Sequence, residues 1–340
     1  MPRGIYGNRP REKYLGRGYR AGSCIMKVLL AVKPNANHEE IRRYIASRFA
    51  DLAIELYLVS ALTVSQNTQS AQRNALSQLK ALSVLLRQCA PVQQVRTQLL
   101  EGEPVEAINS AAIRNRSDLV LIIEEQSKGF LSRLGSTSIT RRICQQASYS
   151  VEVIKPRVPQ DSAPYRVLVP VAEHELELYP INQLVDLHWP HGSCVRFLAL
   201  LPPALDDTYA EATALSALHQ LDTSTVQTVR MQSRLEKLCE AMTRALGNGI
   251  TVDFRLAYDC STAAAVREAN DSQADLLVVS SQPTDSFFRG LKSVLSPAAM
   301  LMGAKCSVLM LNQSLPRNFG RANRVISLLG DPARQNSPSQ

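Results

Sequence analysis

Two stretches of this chain hold residues whose types and spacing could do chemistry. In Asp118–Ile154, an apolar run (Leu119–Ile123) gives way to a polar loop containing Glu124, Glu125 and Gly129. The loop closes on Gly135-Ser136-Thr137, and a helix-compatible segment, Ser138–Gln146, follows. A Gly-Ser/Thr corner at a helix start leaves backbone N–H groups unpaired, and with the two hydroxyls they can meet a phosphate. The same corner can instead be a turn whose hydroxyl caps the helix. The second stretch is His188-Trp189-Pro190-His191. Two imidazoles three apart could share a metal, but Pro190 breaks the helix that would aim both rings at one ion, and no third ligand lies nearby. It reads as a polar loop between a helix and a strand. Arg141-Arg142 reads as a solvated helix face, and Phe287-Phe288-Arg289 as an apolar segment either exposed or tucked under a helix. There is no Gly-x-Ser-x-Gly elbow, Walker lysine motif or H-E-x-x-H, so no catalytic residue is assigned.

The corner-bearing stretch occurs twice. Asp275 begins a second copy offset by 157 residues, in which Phe130 meets Phe287, Leu134 meets Leu291, Ser136 meets Ser293 and Ser150-Val151 meets Ser307-Val308, without a gap. Such repetition marks a duplication. The second corner reads Lys292-Ser293-Val294, where the lysine could attract an anion as a point charge.

The elements that must position these residues follow a repeating order. Val28–Val32 is an apolar run expected of a strand covered on both faces. Ile41, Tyr44, Ile45 and Phe49 have helical spacing. Glu55–Val64 reads as a strand, Gln69–Gln88 as a helix burying Leu76, Leu79, Leu82 and Leu86, and Val92–Leu100 as a third strand. Pro104 opens a helix at its first turn, with Ile108, Ala111 and Ala112 inward. Asp118–Ile123 and Val151–Ile154 complete five strands, an alternation that implies an open, parallel, doubly wound sheet. The second copy starts at Arg166, offset by 139 from Lys27, so it carries 18 extra residues around Pro202–Val229. Leu235, Leu238, Met242 and Leu246 form its helical stripe, Gly247-Asn248-Gly249 ends that helix, and Ile250–Ala257 is its third strand.

Composition bounds the remaining choices. The 340 residues, 45% hydrophobic and 20% charged, suit two globular domains. No apolar run reaches the ~20 residues of a membrane helix, and residues 1–25 hold no secretory core. Seven scattered cysteines, an odd number without a C-x-x-C pair, fit reduced thiols in a cytoplasm. Of the net charge of +8, residues 1–25 supply +5. That arm could touch nucleic acid or an acidic membrane surface. The favoured reading is an unstructured extension or an upstream start, with Met26 opening the domain.

On these residues the chain resembles a tandem universal stress protein, over about 27–155 and 166–312. In that family the first strand ends in Asp-Gly-Ser, a Gly-x-Pro-x-x-x-Ile segment precedes the fourth strand, and the last loop runs Gly-x-x-Gly, nine residues, Gly-Ser/Thr. Gly102-Glu103-Pro104-Val105-Glu106-Ala107-Ile108, Gly135-Ser136-Thr137 and Val151-Glu152-Val153-Ile154 follow the pattern. The resemblance implies sheets in the order 3-2-1-4-5 and pairing of the domains through their last strands. It also implies an ATP or AMP site at Val32, Lys33, Gly129, Gly135, Ser136 and Thr137, with Ser293 as the second-half counterpart. Two determinants depart from the pattern. Lys33 stands where the family's adenine-reading Asp would be, with Ala172 in the second copy, and Glu124-Glu125 begins the loop where Gly-x-x-Gly is expected. Carboxylates there repel phosphate oxygens.

The expectation is an α/β chain of two doubly wound five-stranded parallel sheets (3-2-1-4-5), helices on both faces, paired as an intramolecular pseudo-dimer. Its parts are a basic extension (1–25), a first domain (26–155), a Pro-rich linker (156–165), a second domain (166–312) and a polar tail (313–340). The expected function is binding or regulation in a stress response, in the cytoplasm, without catalysis and with degenerate ATP-binding motifs. The alternative is ATP or AMP held by the first domain. A homodimer or another protein is a further partner; membrane and nucleic acid are not expected.

Overall fold

The computed structural model describes residues 25–33, 36–63, 65, 68–124, 139–155, 164–172, 176, 181–201, 214–247, 249–280 and 295–312. The first half runs β1 (Met26–Ala31), α1 (His38–Arg48), β2 (Ile54–Leu62), α2 (Gln69–Leu86), β3 (Val92–Glu101), α3 (Pro104–Asn115), β4 (Leu119–Ile123), helix α4 over 139–146, and β5 (Ser150–Ile154). The second runs β6 (Arg166–Ala172), α5 (Ile181–Asp186), β7 (Cys194–Leu200), α6 (Ala214–Leu246), β8 (Thr251–Ala257), α7 (Thr262–Asp271), β9 (Leu276–Ser280), α8 (Pro297–Gly303) and β10 (Ser307–Leu311).

Local chemistry fixes the helix starts. Asn37 accepts from the Glu39 and Glu40 amides, Thr68 from Ala71, Glu103 from Val105 and Glu106, Ser261 from Ala264 and Ser296 from Ala299. These satisfy donors that a helix N-terminus leaves orphaned. One stripe differs from expectation: α2 buries Ala75, Leu79, Leu82 and Leu86, while Leu76 is 40% exposed. Ala75 lies four residues before Leu79, and Leu76, one position on, is turned about 100° out of the stripe.

The strands are ordered β3-β2-β1-β4-β5-β10-β9-β6-β7-β8, so each half has the order 3-2-1-4-5. All pairings are parallel except one: β5 and β10 run antiparallel, with Val151 opposite Met310, Glu152 opposite Leu309 and Val153 opposite Val308. The two five-stranded units are therefore not separate sheets; this ladder merges them into one ten-stranded sheet. It also gives each last strand a partner where an open edge would invite pairing with another chain.

The registers carry the duplication. Val28 pairs with Leu119 as Val167 pairs with Leu276, and Glu55 with Gln94 as Cys194 pairs with Thr251. These pairs keep the offset of 139 through the second strand of each half and of 157 from the third. Asp118 accepts from the Lys27 amide at 2.7 Å, and Asp275 from the Arg166 amide at 2.8 Å. Arg116 and Gln273, 157 apart, both take the left-handed conformation at the ends of α3 and α7. The extra residues of the second copy appear partly as helix: α6 has 33 residues where α2 has 18.

Side chains alternate between two cores, as strand geometry requires. Val28, Leu30, Leu56, Leu58, Val169 and Phe197 face α1, α2, α5 and α6. Leu29, Val120, Val151, Val153, Leu277 and Val308 face α3, α4, α7 and α8. At the seam the symmetry recurs in polar contacts. Lys155, just past β5, donates through Nζ to the Leu301 carbonyl and, at 2.6 Å, to that of Ala304 beyond α8. Its counterpart Asn312, just past β10, donates to the Ala147 carbonyl beyond α4. Each half thus caps the helix C-terminus of the other.

Candidate functional site

In a 3-2-1-4-5 sheet the connections reverse direction between β1 and β4, and ligands of such folds bind outside the carboxyl ends of the strands at that switch point. Val32 lies there, 5% exposed, its amide donating to the Val59 carbonyl at 2.8 Å. Half-buried Lys33 follows, just past the end of β1. On the β4 side the Glu124 amide donates to the Ile154 carbonyl at 2.9 Å, and its carboxylate lies 3.6 Å from Lys155 Nζ, the two side chains being 20% and 12% exposed. Burial pulls the Lys155 ammonium below its ordinary pKa, although the Glu124 charge works the other way. Just past β3, Gly102 takes φ +114°, a conformation that disfavours any side chain, and leads into Glu103, the cap of α3. Glu103 also pairs with Arg142 at 3.0 Å, so Arg142 is an ion-pair partner at the surface. Gly129, Gly135, Ser136, Thr137, Lys292, Ser293 and Phe287–Arg289 lie outside the described residues. The structure therefore places Val32, Lys33 and Glu124 just past the ends of the paired strands β1 and β4. In the second half Ala172 and Ser280 end the equivalent strands, β6 and β9.

A polar cluster that sequence reasoning missed lies where the halves meet. Glu152 of β5 and Arg48 of α1 are both wholly buried, with Arg48 Nε 3.5 Å from Glu152 Oε2. The Tyr44 hydroxyl donates to Glu152 Oε1. Arg48 Nη1 donates to the His188 carbonyl at 2.9 Å, and its guanidinium lies 4.7 Å over the Trp189 ring and 5.2 Å over Phe49. Burial pushes the Tyr44 hydroxyl far above its ordinary pKa, helped by the Glu152 charge. Burial would pull Arg48 down, but Glu152, Tyr165 and Tyr44 together more than offset it and its pKa is raised. Among the described residues, Arg48 Nη2, Glu152 Oε2 and the Tyr165 hydroxyl have no hydrogen-bond partner.

The expectation of a polar loop at His188–His191 is corrected by the same contacts. Trp189 is 5% exposed, donates to the Leu184 carbonyl at 2.9 Å and anchors the seam. His188 Nδ1 lies 2.8 Å from the Asp186 carbonyl, and the His191 amide donates to the Asp51 carboxylate at 2.6 Å. Among the described residues no group of three or more His, Cys, Asp or Glu side chains is placed to hold a metal. Nor is any described helix long and apolar enough to cross a membrane. The sequence did hold a signal for the cluster. Glu152 interrupts an apolar strand whose copy has Leu309, and Arg48 sits seven residues after Ile41 on the buried side of α1.

Solved structures match this arrangement along nearly their whole length. A functionally unknown protein from Pseudomonas aeruginosa aligns at 13% identity over 90% of this chain and 98% of its own, with a TM-score of 0.55. A universal stress protein from Archaeoglobus fulgidus aligns at 11% identity over 84% and 96%, TM-score 0.51. This chain has the universal stress protein fold in tandem. A protein described as a universal stress protein from a second strain of Pseudomonas aeruginosa agrees, at 13% identity over 91% and 99%, TM-score 0.55. No protein-family model and no curated protein matches the chain in sequence. At these identities the likeness lies in the universal stress fold, a backbone shared while most side chains differ.

Proposed function

We propose that the chain is a cytoplasmic binding or regulatory module of universal stress type, acting in a stress response through its surfaces and not by catalysis. Its two domains are 26–155 and 166–312, joined by the Pro-rich linker. The observation that carries the reading is the charge at the switch point. A carboxylate, Glu124, closes the β4 side near the Lys155 ammonium, and a cation, Lys33, ends the β1 side. The nucleotide pattern of the family that the chain resembles has an acceptor under the base and a glycine-rich loop beside the phosphates, where a carboxylate such as Glu124 would repel their oxygens.

The second reading is ATP or AMP held by the first domain through Val32, Lys33, Gly129, Gly135, Ser136 and Thr137, with Ser293 in the second. The switch point of the sheet, where open α/β folds commonly bind ligands, favours it. Mass spectrometry of small molecules released on denaturing the purified chain separates the two readings. The regulatory reading expects no adenine nucleotide in molar proportion. Saturable ATP or AMP binding that Gly135→Val weakens would establish the second reading instead.

A further inference from the structure

We propose that the buried Arg48–Glu152 pair selects the partner across the seam: it commits the first half to a second half and rejects a second copy of the first half.

The argument starts from the register of the antiparallel ladder. The pair at its centre, Glu152 and Leu309, joins positions exactly one repeat apart, 157 residues, while the flanking pairs exchange equivalent positions. The pseudo-two-fold axis of the molecule therefore passes between Glu152 and Leu309. A pairing of two first halves in this register would put Glu152 directly opposite Glu152. Opposed residues of an antiparallel pair stand about 4.5–5.5 Å apart, and like charges so placed are destabilising. Here the site is also closed to water, since Glu152 is 0% exposed.

Arg48 extends the discrimination. The β1-to-β2 and β6-to-β7 spacings are equal, so Arg48 corresponds by count to Leu187, and Glu152 to Leu309. Leu187 and Leu309 are buried in the same core as Trp189. One half thus brings an ion pair to the axis and the other brings two leucines. Arg48 depends on the second half for the His188 carbonyl and the Trp189 ring. In a pairing of two first halves, Trp189 would be replaced by its counterpart, Ala50, which offers no ring. Two guanidiniums and two carboxylates would then crowd an axis that now holds one of each.

A buried ion pair adds little stability over an apolar pair of similar volume, and its best-attested use is to fix register or partner. The leucines of the second half show that an apolar solution is compatible with this fold. For a tandem chain the selection matters: halves that accept only each other form no first-with-first pairs, and the covalent link between them makes the second half of the same chain the partner at highest effective concentration.

The test uses the full chain with a protease site inserted between Lys155 and Pro164, cut after folding and incubated with isotopically labelled copies. Native mass spectrometry then counts the pairings. The wild-type chain is expected to give first-with-second pairs only. In Arg48→Leu/Glu152→Leu, first-with-first pairs should rise by at least about tenfold, the shift produced by about 1.4 kcal/mol of lost preference. Free first-with-first pairing in the wild type, or none in a folded double variant, overturns the proposal. Should the double variant fail to fold, Leu187→Arg/Leu309→Glu in the uncut chain decides, because it builds the rejected axis within one molecule. A raised radius of gyration with helix content retained supports the proposal, and unchanged compactness overturns it.

Discussion

Removing one member of the Arg48–Glu152 pair should cost far more than removing both. Glu152→Leu leaves a wholly buried guanidinium with a single hydrogen bond, to the His188 carbonyl. Arg48→Leu leaves a wholly buried carboxylate with only the Tyr44 hydroxyl. Stranding one charge of a buried pair costs about 3–5 kcal/mol. At about 2.1 cal/mol/K of unfolding entropy per residue, a 340-residue chain unfolding as a unit loses about 4–7 °C of Tm for each single variant. The double variant, which reproduces the leucines of the second half, should lie within about 1 kcal/mol of wild type or above it. Calorimetric melting of the four proteins at neutral pH closes the cycle. A double variant as unstable as either single one would show that the pair contributes to stability itself. Single variants without cost would show that water reaches the cluster. Either result refutes the reasoning.

Other consequences follow from burial and charge. Burial raises the pKa of Tyr44 and Tyr165 above the unfolded value of 10.0, so their contribution is present below pH 10 and is lost as pH rises beyond it. Urea titrations from pH 9 to 11 should show stability falling, and Tyr165→Phe should reduce that slope by up to about 1.4 kcal/mol per pH unit. Burial pushes the Cys144 and Cys239 thiols up to about 12, so iodoacetamide at pH 8 should label them only as fast as the chain opens. Lys155→Met takes the donor from the Leu301 and Ala304 carbonyls and the cation from Glu124; a loss of about 1–3 kcal/mol is expected in denaturant melts. In α2, Leu79→Ala should cost about 2–5 kcal/mol, whereas Leu76→Lys, at a position 40% exposed, should stay within about 0.5 kcal/mol.

The strands were legible because each apolar run is short, punctuated and repeated, while their order, 3-2-1-4-5, was implied by the family resemblance. The offsets of 139 and 157 reappear in the registers because duplicated strands keep their neighbours. The pairing of β5 with β10 was likewise implied by the resemblance, and it removes two open strand edges. Leu76 was misplaced because an apolar residue beside the true stripe looks the same in spacing as one within it. Trp189, the only tryptophan, was misplaced because the polarity of its neighbours says nothing of Arg48, which reaches it across the seam. Glu152 belongs to the last-strand motif, which masks it as the one charge in an otherwise apolar strand. Its partner is distant in sequence, and only the coordinates bring the two together. At the switch point, Lys33 and Glu124 were legible as departures, while the tie from Glu124 to Lys155 and on to α8 needed the fold.

The account stands on two copies sharing one sheet through their last strands, and amide hydrogen exchange on the intact chain measures that most directly. Peptides covering 150–154 and 307–311 should be protected as strongly as the central strands β1 and β6, and Val153→Asp with Leu309→Asp should expose both peptides together. Fast exchange of either segment in the unaltered chain would contradict the account.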